Sequence, residues 1–185
     1  MDLINTKLVR DLIPKIATES DSDNIFKKYL SDEEYHEGLI NKIIEETEEI
    51  IEQLNKDDGN NCKTEIIEEM ADLLEVLDAC NELLGIDNIL DIMHIIDDNY
   101  IYLAKYGMMI NIDYISLFNT SSIALYHSFK YSNSITFERE VCNLCSIILG
   151  YLYSYNLNIY HLNDIKVAKK LARGGFMKKY YLELK

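Results

Sequence analysis

The hydrophobic pattern is clearest between Leu39 and Leu84, where two stretches repeat apolar residues at helical spacing. The first, LINKIIEETEEIIEQL, carries Leu39, Ile40, Ile43, Ile44, Ile50, Ile51 and Leu54. The second, EIIEEMADLLEVLDACNELL, carries Ile66, Ile67, Met70, Leu73, Leu74, Leu77 and Leu84. Between them NKDDGNNC holds Asn, Asp and Gly, residues that suit a turn, so the pattern predicts two amphipathic helices folded back as an antiparallel pair. Ser31 with Glu34 forms a capping box that starts the first helix. Gly85 is placed to end the second, and Asp87 to cap a third that runs to Lys105 and closes at Gly107. Upstream, KLVRDLIP reads as extended, with Pro14 biasing Ile13 away from helix, and TESDSDN reads as a loop.

The polar positions of the hairpin are acidic. Glu46 with Glu49, and Glu69 with Asp72, are carboxylates three apart, hence neighbours about 5–6 Å apart at Cβ. On a helical wheel Glu46 and Glu69 both fall roughly 90° from the centre of their apolar stripes, and Glu49 and Asp72 lie a step further toward solvent. Acidic runs on helices are commonly solvated faces. Two such pairs on consecutive helices, at the same rim position, repel unless a cation sits among them, and an all-oxygen set suits Mg²⁺, Mn²⁺ or Ca²⁺ rather than zinc.

The arrangement IIEETEEI…EIIEEMADLLEV resembles the ExxE…ExxD motif of the all-α nucleoside triphosphate pyrophosphohydrolases, the MazG-like and phosphoribosyl-ATP pyrophosphohydrolase-like group. The opening TKLVRDLIP (Thr6 to Pro14) is similar to the KLVRDKIP start of one branch, and ARGGF (Ala172 to Phe176) to its RGGF close. The resemblance spans roughly residues 1–95 and 165–185 and implies an all-α helical bundle. It further implies a Mg²⁺-dependent enzyme, with Mn²⁺ as a possible substitute, that cleaves a nucleoside triphosphate to monophosphate and pyrophosphate. Glu46, Glu49, Glu69 and Asp72 then hold metal. Glu45, the first acid of the family's EExxE, joins Glu46 and Glu49 as catalytic by orienting water or supporting a second ion, and Lys7 and Arg10 lie near the nucleotide. Phosphoribosyl-ATP as substrate, or a protein that binds a nucleotide without cleaving it, are the alternatives.

Beyond residue 112 the helical pattern resumes as a second copy of the first. Laying Glu69–Asp87 on Glu140–Asn158 makes the apolar positions largely coincide and sets Asp72 on Asn143; laying Ile43–Ile51 on Ser116–Ala124 sets Glu46 on Asn119 and Glu49 on Ser122. Residues 1–112 are thus read as a repeat with an intact acidic site and residues 113–185 as a degenerate repeat whose pseudo-site has lost three charges. The two pack as one unit, an internal pseudo-dimer that leaves either a monomer or a homodimer open.

Charge refines this picture. The chain of 185 residues carries a net charge of −14, which opposes general affinity for nucleic acid or anionic membranes. No apolar run has the length of a membrane span and no signal core follows Asp2, so a cytoplasmic location is expected. Against this acidic background the segment from Lys166 to Lys185 holds seven Lys or Arg residues and one acid, Glu183. Lys166, Lys169, Lys170 and Arg173 recur at helical spacing, as in a phosphate-facing strip, with Lys170 and Arg173 the chosen phosphate ligands. Gly174 and Gly175 end that helix. The CxxC formed by Cys142 and Cys145 falls mid-helix among apolar residues and reads as packing, and the four histidines show no ligand spacing.

Overall fold

The computed structural model describes residues 6–19, 25–56, 63–86, 113–131 and 133–184. Strand β1 (Thr6–Val9) leads to a short helix α1 (Ile13–Glu19), and β2 (Ile25–Tyr29) precedes the long helix α2 (Asp32–Lys56). Helices α3 (Lys63–Leu84), α4 (Tyr114–Lys130), α5 (Ser134–Ser154) and α6 (Ile159–Arg173) follow, and then strand β3 (Tyr180–Leu184). The molecule is thus mostly helical, as the apolar periodicity requires. The helix expected from Asp87 to Lys105 lies outside the described residues, as does most of TESDSDN.

Local signals set the helix ends. The Ser31 N–H donates to Glu34 Oε2 (2.9 Å) and the Glu34 N–H to Ser31 Oγ (3.2 Å), the reciprocal capping box at the start of α2. Asp113, Asn133 and Asn158 each accept a backbone N–H in the first turn of α4, α5 and α6. Gly85, at φ 68°, ends α3. Pro14 did not keep Ile13 out of helix: Ile13 opens α1, where proline's missing N–H falls in the first turn and breaks no hydrogen bond.

Helix α3 is the centre of the bundle. It packs on α2, α5 and α6, so every residue from Met70 to Leu77 is buried, acids included. Leu39, Ile43 and Ile50 of α2 and Ile66, Met70, Leu73 and Leu77 of α3 meet in one core with Phe118 and Phe129 of α4 and Phe137 and Tyr151 of α5. No helix among the described residues is long and apolar enough to cross a membrane. Cys145 is buried and Cys142 half-buried on α5, both as free thiols.

A small antiparallel sheet of order β1-β3-β2 joins the two ends of the described chain. The helical reading did not foresee this strand at the C-terminus. An isolated hairpin edge is marginal in water, and β1 and β2 become strands because β3 lies between them. The pairing of Val9 and Tyr29 with Tyr180 brings the residues after β1 against those after α6. There the Asp11 N–H donates to Gly175 O (2.7 Å), the Leu12 N–H to Arg173 O (3.0 Å) and the Lys178 N–H to Asp11 Oδ1 (2.8 Å). The VRDLIP and RGGF stretches are therefore one clamp.

Candidate functional site

Between α2, α3, the end of α6 and the segment after β1 lies a cleft of about 420 Å³. One oxygen each from Glu46, Glu49 and Glu69 lies within 4.8 Å of the others. Glu46 is 5% exposed, whereas Glu49 and Glu69 are half-buried and line the opening. Lys42, one turn before Glu46, donates to its Oε1 (2.8 Å) and also reaches Glu45 (3.0 Å).

The three acids hold their protons more tightly than a solvated carboxyl. Burial pushes Glu46 upward, Lys42 opposes, and Asp72 and Glu49 add to the rise. Burial also raises Glu49, with Glu69 and Glu45 adding and Lys42 opposing. Glu69 rises through burial, which Lys169 opposes and Asp72 and Glu46 reinforce. Such a group of acids is relieved by a cation. The 4.8 Å span is about twice a Ca²⁺–oxygen distance of ~2.4 Å, so three oxygens at this spacing fit a hard divalent ion. Because protons compete for these oxygens, Mn²⁺ affinity should rise as pH is raised through the range in which these carboxyls lose their protons, which electron paramagnetic resonance would read. For the metal-free protein the sign reverses. Raised folded-state values mean that the contribution of these groups to stability grows as pH falls from neutral through them.

Asp72 was expected nearer to solvent than Glu69, and the structure corrects this. It is 7% exposed, because α6 and the segment after β1 cover that face of α3. Its Oδ1 accepts from Arg10 Nη2 and its Oδ2 from Lys169 Nζ (2.8 Å), with Arg173 Nη1 at 3.8 Å. Asp72 therefore stands in the cleft between the acids and the cations. Arg10 does not pair with Asp11; its guanidinium is buried over the Phe176 ring, 5.5 Å from the centroid. Its Nη1 is buried with no hydrogen-bond partner among the described residues.

The basic strip of α6 divides in two. Lys166 pairs with Asp78 and Lys170 with Glu75 (3.0 Å), rungs of an antiparallel charge ladder along α3. Lys169 and Arg173, four apart and so on one face, reach the cleft. Lys170 thus is not among the residues lining the cleft, and Lys169, part of the strip but not chosen, is. A wheel of α6 alone could not say which face meets α3. Lys42 was also missed, since a lone lysine among acids reads as a solvated helix pair. Lys7 lies in β1, paired with Leu182, and Glu45 lines the cleft.

These assignments separate experimentally. Lys169→Ala should weaken binding of inorganic triphosphate at the cleft about tenfold or more, whereas Lys170→Ala should leave that binding unchanged and cost about 1–3 kcal/mol of stability by stripping buried Glu75 of its Lys170 ion pair. Calorimetric titration beside urea unfolding checks both.

The positions opposite the acids in the proposed repeat are not gathered in the same way. Asn119 and Ser122 line a separate groove against Ile44, Thr47 and Ile51 of α2, while Asn143 is exposed and donates to Glu140 Oε2 (2.9 Å). Comparison with protein-family models, curated proteins and solved structures found no match for the chain.

Proposed function

We propose that this protein is a divalent-metal-dependent nucleotide pyrophosphohydrolase of the MazG-like kind. The observation that carries the reading is one cleft in which Glu46, Glu49 and Glu69 converge while Arg10, Lys169 and Arg173 line it as well, Arg10 with a buried donor that lacks an acceptor among the described residues. Acids that suit a hard cation, beside cations that suit phosphoryl oxygens, match a metal-bound polyphosphate. The ExxE…ExxD, KLVRD and RGGF motifs, which meet at this cleft, supply the choice of hydrolysis.

In this reading Glu46, Glu49 and Glu69 would hold Mg²⁺ or Mn²⁺, which when bound would polarise the phosphoryl oxygens and make water more acidic. Glu45, half-buried at the cleft, accepts the proton as the water oxygen bonds to the α-phosphorus. The α–β anhydride bond breaks and its electron pair leaves with pyrophosphate. Arg10, Lys169 and Arg173 offset the charge that grows on this leaving group. Lys42 keeps Glu46 and Glu45 oriented.

The hairpins α2/α3 and α4/α5 form a tandem pair in which only the first keeps all four acids, the second retaining Glu140 alone. Two features favour this: their order repeats along the chain, and the corresponding helices α2 and α4 pack on each other, as a two-fold arrangement requires. The site is then complete within one chain.

Pyrophosphate release from a panel of ribo- and deoxyribonucleoside triphosphates, with Mg²⁺ and with chelator, tests the function. Metal-dependent release from at least one of them is expected. Absence of release from all, with a nucleotide held stoichiometrically, would replace the enzyme by a binding protein.

A further inference from the structure

We infer that Asp72 is a resident counter-ion that occupies the anion subsite of the cleft and yields it when a divalent cation binds. The inference rests on the metal-and-polyphosphate reading above and adds an order of events to it. Asp72 gives each of its oxygens to a different cation, Oδ1 to Arg10 and Oδ2 to Lys169, and Arg173 stands 3.8 Å from Oδ2. Three cations that line the cleft are thereby turned toward a single carboxylate of the protein itself. A phosphoryl group needs the same donors, so Asp72 competes with it.

The carboxylate has a second destination. Asp72 is one turn beyond Glu69 on α3, and its charge bears on both Glu69 and Glu46. A cation held by Glu46, Glu49 and Glu69 attracts it toward that side, and the rotation of one short side chain on a helix that need not move would release Arg10 and Lys169. The Nη1 of Arg10, without a hydrogen-bond partner among the described residues, adds an independent sign. A buried guanidinium normally has its donors satisfied, and here one end is held by Asp72 while the other waits for an acceptor. An incoming phosphoryl oxygen meets that need, and with Asp72 withdrawn both ends of the fork face the same anion.

The consequence is positive coupling between metal and anion. Each should raise the other's affinity by the same factor, on the order of fivefold to tenfold or more. Direct attraction between the two ions also gives coupling, so the decisive variant is Asp72→Asn, which removes the competing charge and keeps the shape.

Inorganic triphosphate is titrated into chelator-treated protein by calorimetry, for the wild type and Asp72→Asn. Without metal, Asp72→Asn should bind triphosphate about tenfold tighter than the wild type. Equal or weaker binding by a folded Asp72→Asn protein would overturn the inference. In parallel, sulfate, a poor chelator, is titrated into the wild type with and without saturating Mn²⁺. Tightening of about fivefold is expected, and sulfate affinity indifferent to Mn²⁺ would overturn the inference even if the variant did not fold. Mn²⁺ bound by the wild type and lost in Glu49→Gln, together with either negative result, would leave the metal site standing and remove only the role of Asp72. Absence of Mn²⁺ binding to the wild type would overturn both.

Discussion

Glu49→Gln should abolish metal-dependent pyrophosphate release, lowering kcat by about 10²–10³-fold or more, while the protein unfolds at the same temperature as the wild type or above it. The two halves of this result have one cause. Glu49 is half-buried, and its carboxyl is pushed up by burial and then by Glu69 and Glu45, so its charge costs the fold stability unless a cation offsets it. A neutral amide of the same shape relieves that repulsion and removes one oxygen from the set of three that converges within 4.8 Å. A structural acid would behave in the opposite way, with stability lost and activity following it. Asn143→Asp is the control. Its side chain is exposed on α5 beside Glu140, outside the cleft, and activity should stay near that of the wild type. Thermal melts without metal and pyrophosphate release with it read both variants.

Gly174→Ala should cost about 3 kcal/mol of stability and reduce activity in the protein that remains folded. Gly174 caps α6 at φ 78°, a conformation that L side chains rarely adopt, and its N–H donates to Lys170 O (2.8 Å). An added Cβ would lie 2.9 Å from Asp11 Cβ and 3.0 Å from Leu12 N. Backbone strain and collision therefore add, and the collision falls on the segment that carries Arg10 into the cleft. Gly85→Ala separates the two contributions. Gly85 also has a positive φ, 68°, but a Cβ added there would meet no atom within 4 Å, so strain alone should cost about 1–2 kcal/mol. Urea unfolding of both variants measures the difference, and an equal loss would remove the clamp from the account of the RGG stretch.

Much of the helical frame was legible in the residues. The spacing of Leu39, Ile43 and Ile50, and of Ile66, Met70, Leu73 and Leu77, gives the α2/α3 pair, and Ser31, Gly85 and Gly174 mark ends that local hydrogen bonds and backbone angles then realise. The acidic site was legible in part: the spacing grouped Glu46, Glu49, Glu69 and Asp72, and the structure brings the first three together while Asp72 turns to Arg10 and Lys169. The strand β3 was not, because strand pairing is a long-range choice that a short tail does not encode alone.

The sequence by itself determined the long helices α2 and α3, their apolar faces and the positions that carry acid, because these follow from 3.6-residue periodicity and local capping. Tertiary structure alone decided how each charge is used. Asp72 and Glu75 are three apart on α3 and chemically alike, yet one faces Arg10 and Lys169 in the cleft and the other Lys170 outside it. Lys169 and Lys170 are adjacent in the chain and end on different acids, Lys169 at the cleft and Lys170 in the ladder. The reason is that α6 and the segment after β1 cover α3 from opposite ends of the sequence, and burial under that cover makes a charge's partner, rather than its type, decide what it does.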